Sequence, residues 1–226
     1  MTNFNKFIMC AVSVLAIHVS ANADTILLGS YGTSAANPGV ANTATFYSPA
    51  PSVVNNGSTA TFNISPGSTW HPTLPNSSYV SYNPNTGPGG SFVTPNGSYF
   101  YTTSFILNTT TPASQQGTLT VLADDTVAIS LNNHLILAAA APLGSGNSYA
   151  HCSDTVPNCL TPTTFNFSGL VTGTNQLTFE VKQVNLASEG LDFSGSISAI
   201  PEPSSLAFLG TGMLSLVGMV RRQMSL

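Results

Sequence analysis

Apolar and polar residues alternate along the middle of this chain in short runs separated by turn-forming clusters. Leu177-Thr178-Phe179-Glu180-Val181-Lys182 keeps a period of two without a break, as a half-buried strand does. Val127, Ile129 and Leu131 alternate with Ala128 and Ser130, and Leu119 and Val121 alternate with Thr118 and Thr120. Tyr99, Tyr101, Thr103, Phe105 and Leu107 share one face of a longer strand, and Phe165 with Phe167 marks another. Thr43 to Tyr47, Thr59 to Ile64 and Phe193 to Ile197 give weaker versions of the pattern. Between these runs lie Gly, Pro and Asn clusters such as Pro84 to Gly90 and Gly144 to Asn147. Asn132-Asn133 suits a tight hairpin, because Asn tolerates positive φ better than other non-glycine residues. Leu135 to Ala141 is too short for a helix and ends at Pro142. The pattern therefore predicts an all-β sandwich over residues 24–199, with helices expected only at the two ends of the chain.

Those ends break the pattern. Lys6, the apolar stretch Phe7 to Val19 and the small-x-small triplet Ala21-Asn22-Ala23 read as an export signal over residues 1–23, cut by signal peptidase after Ala23. At the other end, residues 200–226 join a Pro-rich break to an uncharged run of about 205–220. Its apolar positions are Leu206, Phe208, Leu209, Met213, Leu214, Leu216, Val217 and Val220, and Arg221-Arg222 follow. From Leu206 to Val220 a helix would be roughly 23 Å long, somewhat under the ~30 Å hydrocarbon core of a bilayer. Such a run makes a marginal transmembrane anchor, and its two arginines place the C-terminus in the cytoplasm. A buried core helix is the other reading of the run, but it would show a polar face.

Pro201-Glu202-Pro203, the apolar run and the terminal arginines together resemble the PEP-CTERM sorting signal of Gram-negative bacteria. The resemblance covers about Ile200 to Arg222. It implies an exosortase partner that cuts near Pro201-Glu202-Pro203 after transient anchoring in the inner membrane. The product then passes to the cell surface or the extracellular polysaccharide matrix of a biofilm. Ile200 stands where valine is common, and the arginine cluster is short.

Composition fits an exported chain. Only 5% of residues are charged while 42% are hydrophobic, too apolar for a disordered tail and too poor in Lys and Glu for a typical cytosolic helical domain. Residues 24–199 hold seven acids against the single base Lys182, a formal charge of −6. No basic, aromatic-interleaved patch is present, so nucleic acid is excluded as a partner. With Cys10 removed in the signal, Cys152 and Cys159 remain as a pair, and in an oxidising compartment a disulfide is the expectation. Closing so short a loop contributes about 2–3 kcal/mol. A metal site built on Cys152, Cys159 and His151 is the alternative, and it lacks further ligands.

A second resemblance lies in the C-terminal half of the body. Thr118 to Asp125, Val127 to Asn132, and Leu170 to Phe179 with its Gly173-Thr174-Asn175 turn are similar to the jelly-roll sandwich of galactose-binding-like modules. Tyr99 to Phe105 resembles the first core strand of that fold, whereas Asn133 stands where glycine is usual. This implies a fold and not a ligand.

Asp124-Asp125 is the most prominent acidic pair. With Asn132 and Asn133 nearby, it suggests a Ca²⁺ site built from oxygen ligands. The competing reading is turn capping, favoured because strand neighbours point to opposite faces. Trp70, His71, Tyr79, Tyr82, Tyr99 and Tyr101 suggest an aromatic platform for sugar, although alternation assigns Tyr99 and Tyr101 to the core. Catalysis has little in its favour: there is no Gly-x-Ser-x-Gly elbow, no His-Glu-x-x-His and no phosphate-cradling loop. The expectation is a non-enzymatic, exported cargo, with a Ca²⁺-assisted carbohydrate-binding module as the alternative.

Overall fold

The computed structural model describes residues 25–30, 41–42, 45–49, 61–108, 112–141, 156–184 and 188–199. Twelve strands run through them, with one short 3-10 helix at Pro112–Ser114. The strands are β1 (Ile26–Gly29), β2 (Ala41–Asn42), β3 (Phe46–Pro49), β4 (Thr61–Asn63), β5 (Val80–Ser81) and β6 (Gly97–Leu107). They continue with β7 (Gln115–Asp124), β8 (Thr126–Leu131), β9 (His134–Leu137), β10 (Thr163–Phe167), β11 (Gly173–Gln183) and β12 (Gly190–Ala199).

They form two antiparallel sheets. One runs β10-β7-β12-β5-β4-β2, with β1 also paired to β12, and the other runs β3-β6-β11-β8-β9. The alternation read from the sequence fixes the inward faces. Leu119 and Val121 of β7 meet Leu191, Phe193 and Ile197 of β12 from one sheet. Tyr99, Tyr101, Ile129, Leu177, Phe179 and Val181 come from the other. Phe179 and Phe193 stack across the gap with centroids 4.3 Å apart and planes 22° from parallel. Such a pair adds about 0.5–1.5 kcal/mol beyond its buried area. Leu131 leads into the Asn132-Asn133 turn, where both residues take positive φ (49° and 67°), so the predicted hairpin forms between β8 and β9.

Three expectations change. The strand foreseen at Thr43 to Tyr47 is shifted: Phe46 and Tyr47 open β3, which pairs with β6, while β2 lies just before the foreseen segment and pairs with β4 in the other sheet. Thr45 stands between them, buried, donating its hydroxyl to Ser30 O (3.0 Å) and accepting Thr61 Oγ1–H at its own carbonyl (2.6 Å). Its polar groups are thus used to pass the chain from one layer to the other. β1, β5 and β9 carry no strong alternation and were not foreseen. Finally, Asp124-Asp125 and Asn132-Asn133 lie at opposite ends of β8, separated by its 6 residues, or about 20 Å. They do not share one site.

The signal segment 1–23, the sorting segment 200–226 and Cys152 lie outside the described residues. Among the described residues no helix is long and apolar enough to cross a membrane.

Candidate functional site

Four carboxylates collect at one end of the sandwich, where β7 ends and β12 begins. Asp124 and Asp125, joined by a cis peptide bond, close β7, while Glu189 and Asp192 flank the start of β12. All four are buried, Glu189 and Asp192 completely. A buried carboxylate resists ionisation unless it is well partnered, so the partners decide the chemistry here.

Glu189 lies on the inner side. Ser81 donates its hydroxyl to Oε2 at 2.6 Å and Tyr101 donates its phenol to Oε1 at 2.8 Å. Burial dominates over these two bonds and pushes the carboxyl up to about 8. Asp192 alternates to the opposite face, with Leu191 and Phe193 pointing into the core on either side. There it accepts the Leu74 amide (2.8 Å) and the Ser30 hydroxyl (3.0 Å). Burial again leads, and its carboxyl is pushed up to about 6.

Asp192 is covered because residues 64–79 fold over this end of the outer face. Ile64, Trp70, Leu74 and Tyr79 pack with Leu122 of β7 and Cys159 into a second, smaller core. Backbone bonds from His71 N to Cys159 O (2.9 Å) and Ala123 N to Asn158 O (3.2 Å) tie the cover to its neighbours. Gly190 lets the cover sit close: a Cβ there would lie 2.8 Å from both Trp70 Cζ3 and Ile64 Cδ1.

Asp124 also lies under this cover. Burial first, then the neighbouring Asp125 and Glu189 carboxylates, hold its carboxyl well above the ordinary range. The Trp70 indole is near enough to favour the ionised form slightly. Yet neither Trp70 Nε1 nor either Asp124 oxygen completes a hydrogen bond. That geometry suits a protonated Asp124 better than an anion. Asp125 Oδ2 accepts the Val184 amide at 2.7 Å, the backbone-capping role that strand geometry favoured. Among the described residues, no three His, Cys, Asp or Glu side chains are arranged to hold a metal ion.

The aromatic residues do not form a solvent-facing platform. Trp70, Tyr79, Tyr82, Tyr99 and Tyr101 are all buried, with Trp70 against Tyr79 and Tyr82 stacked on Tyr99. Only His71 keeps partial exposure. Cys159 is buried and disulfide-bonded, while the pairing foreseen with Cys152 involves a residue outside those described.

Sequence reasoning passed over Glu189 and Asp192. Alternation around Asp192 was visible in Leu191-Asp192-Phe193, but it assigns this residue to an open, solvated face. Nothing in the local pattern shows that residues 64–79 return to cover it.

The opposite end of β12 carries the other functional element. Ala199, its last residue, pairs with Gln115 of β7. The profile of the PEP-CTERM protein-sorting motif matches residues 199–222, so the motif begins on the final residue of the last strand. No curated protein and no solved structure matches the chain. The motif implies an exported protein with membrane-associated, exosortase-dependent sorting, carried on an all-β body of two antiparallel sheets.

Proposed function

We propose that this chain is a non-catalytic cargo protein exported across the inner membrane of a Gram-negative bacterium, held there briefly and then released to the cell surface or polysaccharide matrix. Signal peptidase removes residues 1–23 after Ala23. The run 205–220 anchors the C-terminus, with Arg221 and Arg222 on the cytoplasmic side. An exosortase cuts near Pro201-Glu202-Pro203. The released body is a sandwich of jelly-roll kinship, closed by a Cys152–Cys159 disulfide, whose contacts with hydrated polysaccharide would be made by hydroxyls and amides.

The observation that carries this reading is the position of the sorting motif. It adjoins the end of β12 directly, so the sorted part is a finished sandwich with its last strand already paired on both sides. The interior placement of the acids and aromatic residues supports a body without a reactive cleft at that pole.

Replacing Pro201, Glu202 and Pro203 by alanine tests the reading in the native host. The variant is expected to accumulate at full length in the membrane fraction, while the natural chain yields a surface form shortened at its C-terminus. Mass spectrometry of that surface form settles the matter: a mature protein still carrying Arg221 and Arg222 overturns the processing step.

A further inference from the structure

Residues 65–78 are built to move apart from the sheets. β4 and β5 pair through Asn63 and Val80, and just beyond them Ile64 N donates to Tyr79 O at 2.8 Å. Both feet of the loop therefore stand side by side. Between them the backbone makes turns and no strand. Trp70 N donates to Pro66 O (3.2 Å) and Ser77 Oγ to Leu74 O (2.9 Å) within it. This is the build of an Ω-loop, closed at its base and packed by its own side chains. Trp70 and Leu74 join the small core with Leu122 and Cys159, outside the main core between the sheets. The ties from the loop to the body include His71 N to Cys159 O (2.9 Å), Leu74 N to Asp192 (2.8 Å) and Ser194 Oγ to Pro75 O (2.7 Å). A unit of this kind opens without the sheets unfolding.

Two carboxyl groups lie under the loop, and they are partnered differently. Asp192 accepts the Leu74 amide and the Ser30 hydroxyl, and the same Ser30 oxygen accepts the Ser78 amide at 3.2 Å. The charge of His71, on the loop, also bears on it. Asp124 is 1% exposed and neither of its oxygens completes a hydrogen bond. Asp125 and Glu189 act on it from the sheet side, and Trp70 and Tyr79 face it from the loop side. A protonated Asp124 sits there without penalty from its neighbours, whereas an anion meets two further acids and only slight help from the Trp70 indole. Glu189 points the other way, to Ser81 and Tyr101, and lifting the loop leaves it buried.

We propose that residues 65–78 form a proton-latched cover, shut while Asp124 keeps its proton and lifted about the Ile64–Tyr79 hinge once that proton is lost. In the lifted form Asp124 meets water and titrates near 3.9. In the shut form burial, then Asp125 and Glu189, hold it well above that. Opening is therefore least favoured below about pH 4. It grows about tenfold per pH unit while the lifted form is ionised and the shut form is not. Asp192, pushed up to about 6, adds to the rise only below about pH 6, so above that Asp124 drives it. Each opening uncovers Trp70, Leu74 and the Leu122 side chain beneath them.

Hydrogen exchange of the full-length, disulfide-intact chain in detergent micelles tests the latch, read by mass spectrometry at pH 6, 7 and 8. Rates in peptides from residues 65–78 and from β11 are divided by those of an unstructured peptide at the same pH. Protection of the loop is expected to fall at least about tenfold from pH 6 to 8, with β11 remaining the better protected. Asp124→Asn should hold the loop's protection within about threefold across that range, and Glu189→Gln should keep the natural fall. Constant protection in the natural chain, a loop that exchanges only as fast as β11, or a full fall in Asp124→Asn each overturns the proposal. Should Asp124→Asn lose its far-UV spectrum, Glu189→Gln decides: a loop response flattened by that change belongs to the stability of the whole fold, and the latch is refuted.

Discussion

Glu189→Gln isolates one strong pH effect in the fold. In the folded chain the Glu189 carboxyl is pushed up to about 8, burial outweighing the bonds from Ser81 and Tyr101. In the unfolded chain it titrates near 4.3. Below that pH both states hold the proton, and the contribution to stability is complete. As pH rises, the unfolded chain releases its proton while the folded one retains it, so stability falls until the folded group also ionises near 8. Each pH unit in this window costs about 1.4 kcal/mol, on the order of 5 kcal/mol across it. Asp192, pushed up to about 6, and Asp124, also raised, act in the same direction, and Asp192 does so below about pH 6. Glutamine keeps an acceptor for Tyr101 and an amide for the Ser81 hydroxyl without carrying a titrating proton. Urea unfolding of the disulfide-intact protein, followed at intervals from pH 4 to pH 9, measures the difference. The natural protein is expected to lose stability steadily above pH 4, and Glu189→Gln to lose much less between pH 6 and 8, becoming the more stable of the two at pH 8. A natural protein whose midpoint is flat or rises from pH 5 to 8, or a variant with an unchanged slope, refutes the argument.

Two further outcomes follow from the packing. Phe179→Ala removes one ring of the inter-sheet stack and leaves a cavity against Phe193, so a loss of about 3–5 kcal/mol in urea unfolding is expected. A loss under 1 kcal/mol would mean that the two sheets do not meet there. Asp124→Asn puts a neutral amide of the same shape where a buried carboxyl group lacks partners, so at pH 7 its thermal midpoint should equal or exceed that of the natural chain. The same pair of proteins tests the Ca²⁺ reading. A bound ion at a hundredfold excess over its Kd would stabilise the natural chain by about 2.7 kcal/mol, and Asp124→Asn would abolish that gain.

The strands that carry the core were legible where they bury one face only. β6, β11, β7 as far as Val121 and β8 from Val127 alternate, and Tyr99, Val121, Ile129 and Phe179 point inward as the period of two requires. β12 was read too short, as Phe193 to Ile197, because Asp192 and Gly190 interrupt the pattern on a face that a distant segment covers. β1 was missed for a related reason: Ile26-Leu27-Leu28 is apolar on both faces, and Leu27 remains half exposed. The acids were the hardest to place. Asp124-Asp125 was conspicuous as a pair, yet its setting depends on Trp70 and Ile64, more than fifty positions earlier in the chain. Glu189 depends on Ser81 and Tyr101, 108 and 88 positions away in sequence. Local pattern carries information about a residue's own strand and says little about which remote segment closes over it.

Interior placement of the acids changes what the formal charge of residues 24–199 means. Among the described residues four of the five carboxylates are buried, and burial holds at least Asp124 and Glu189 toward their neutral forms near pH 7. On the described surface the remaining charges are Glu180 and Lys182, which lie 3.9 Å from one another and largely cancel at a distance. Elsewhere the exterior of the sheets presents paired hydroxyls and amides, such as Thr118 with Asn166 and Thr120 with Thr164, at 2.8 Å each. The described part of this surface neither attracts nor repels a charged partner from beyond the screening length. Its electrostatics act inward, on the stability of the fold, where protons matter and salt does not. On the proposed reading, retention near a membrane or within a hydrated matrix would then depend on contact: on the tether while it lasts, and on hydrogen bonds and shape once it is cut.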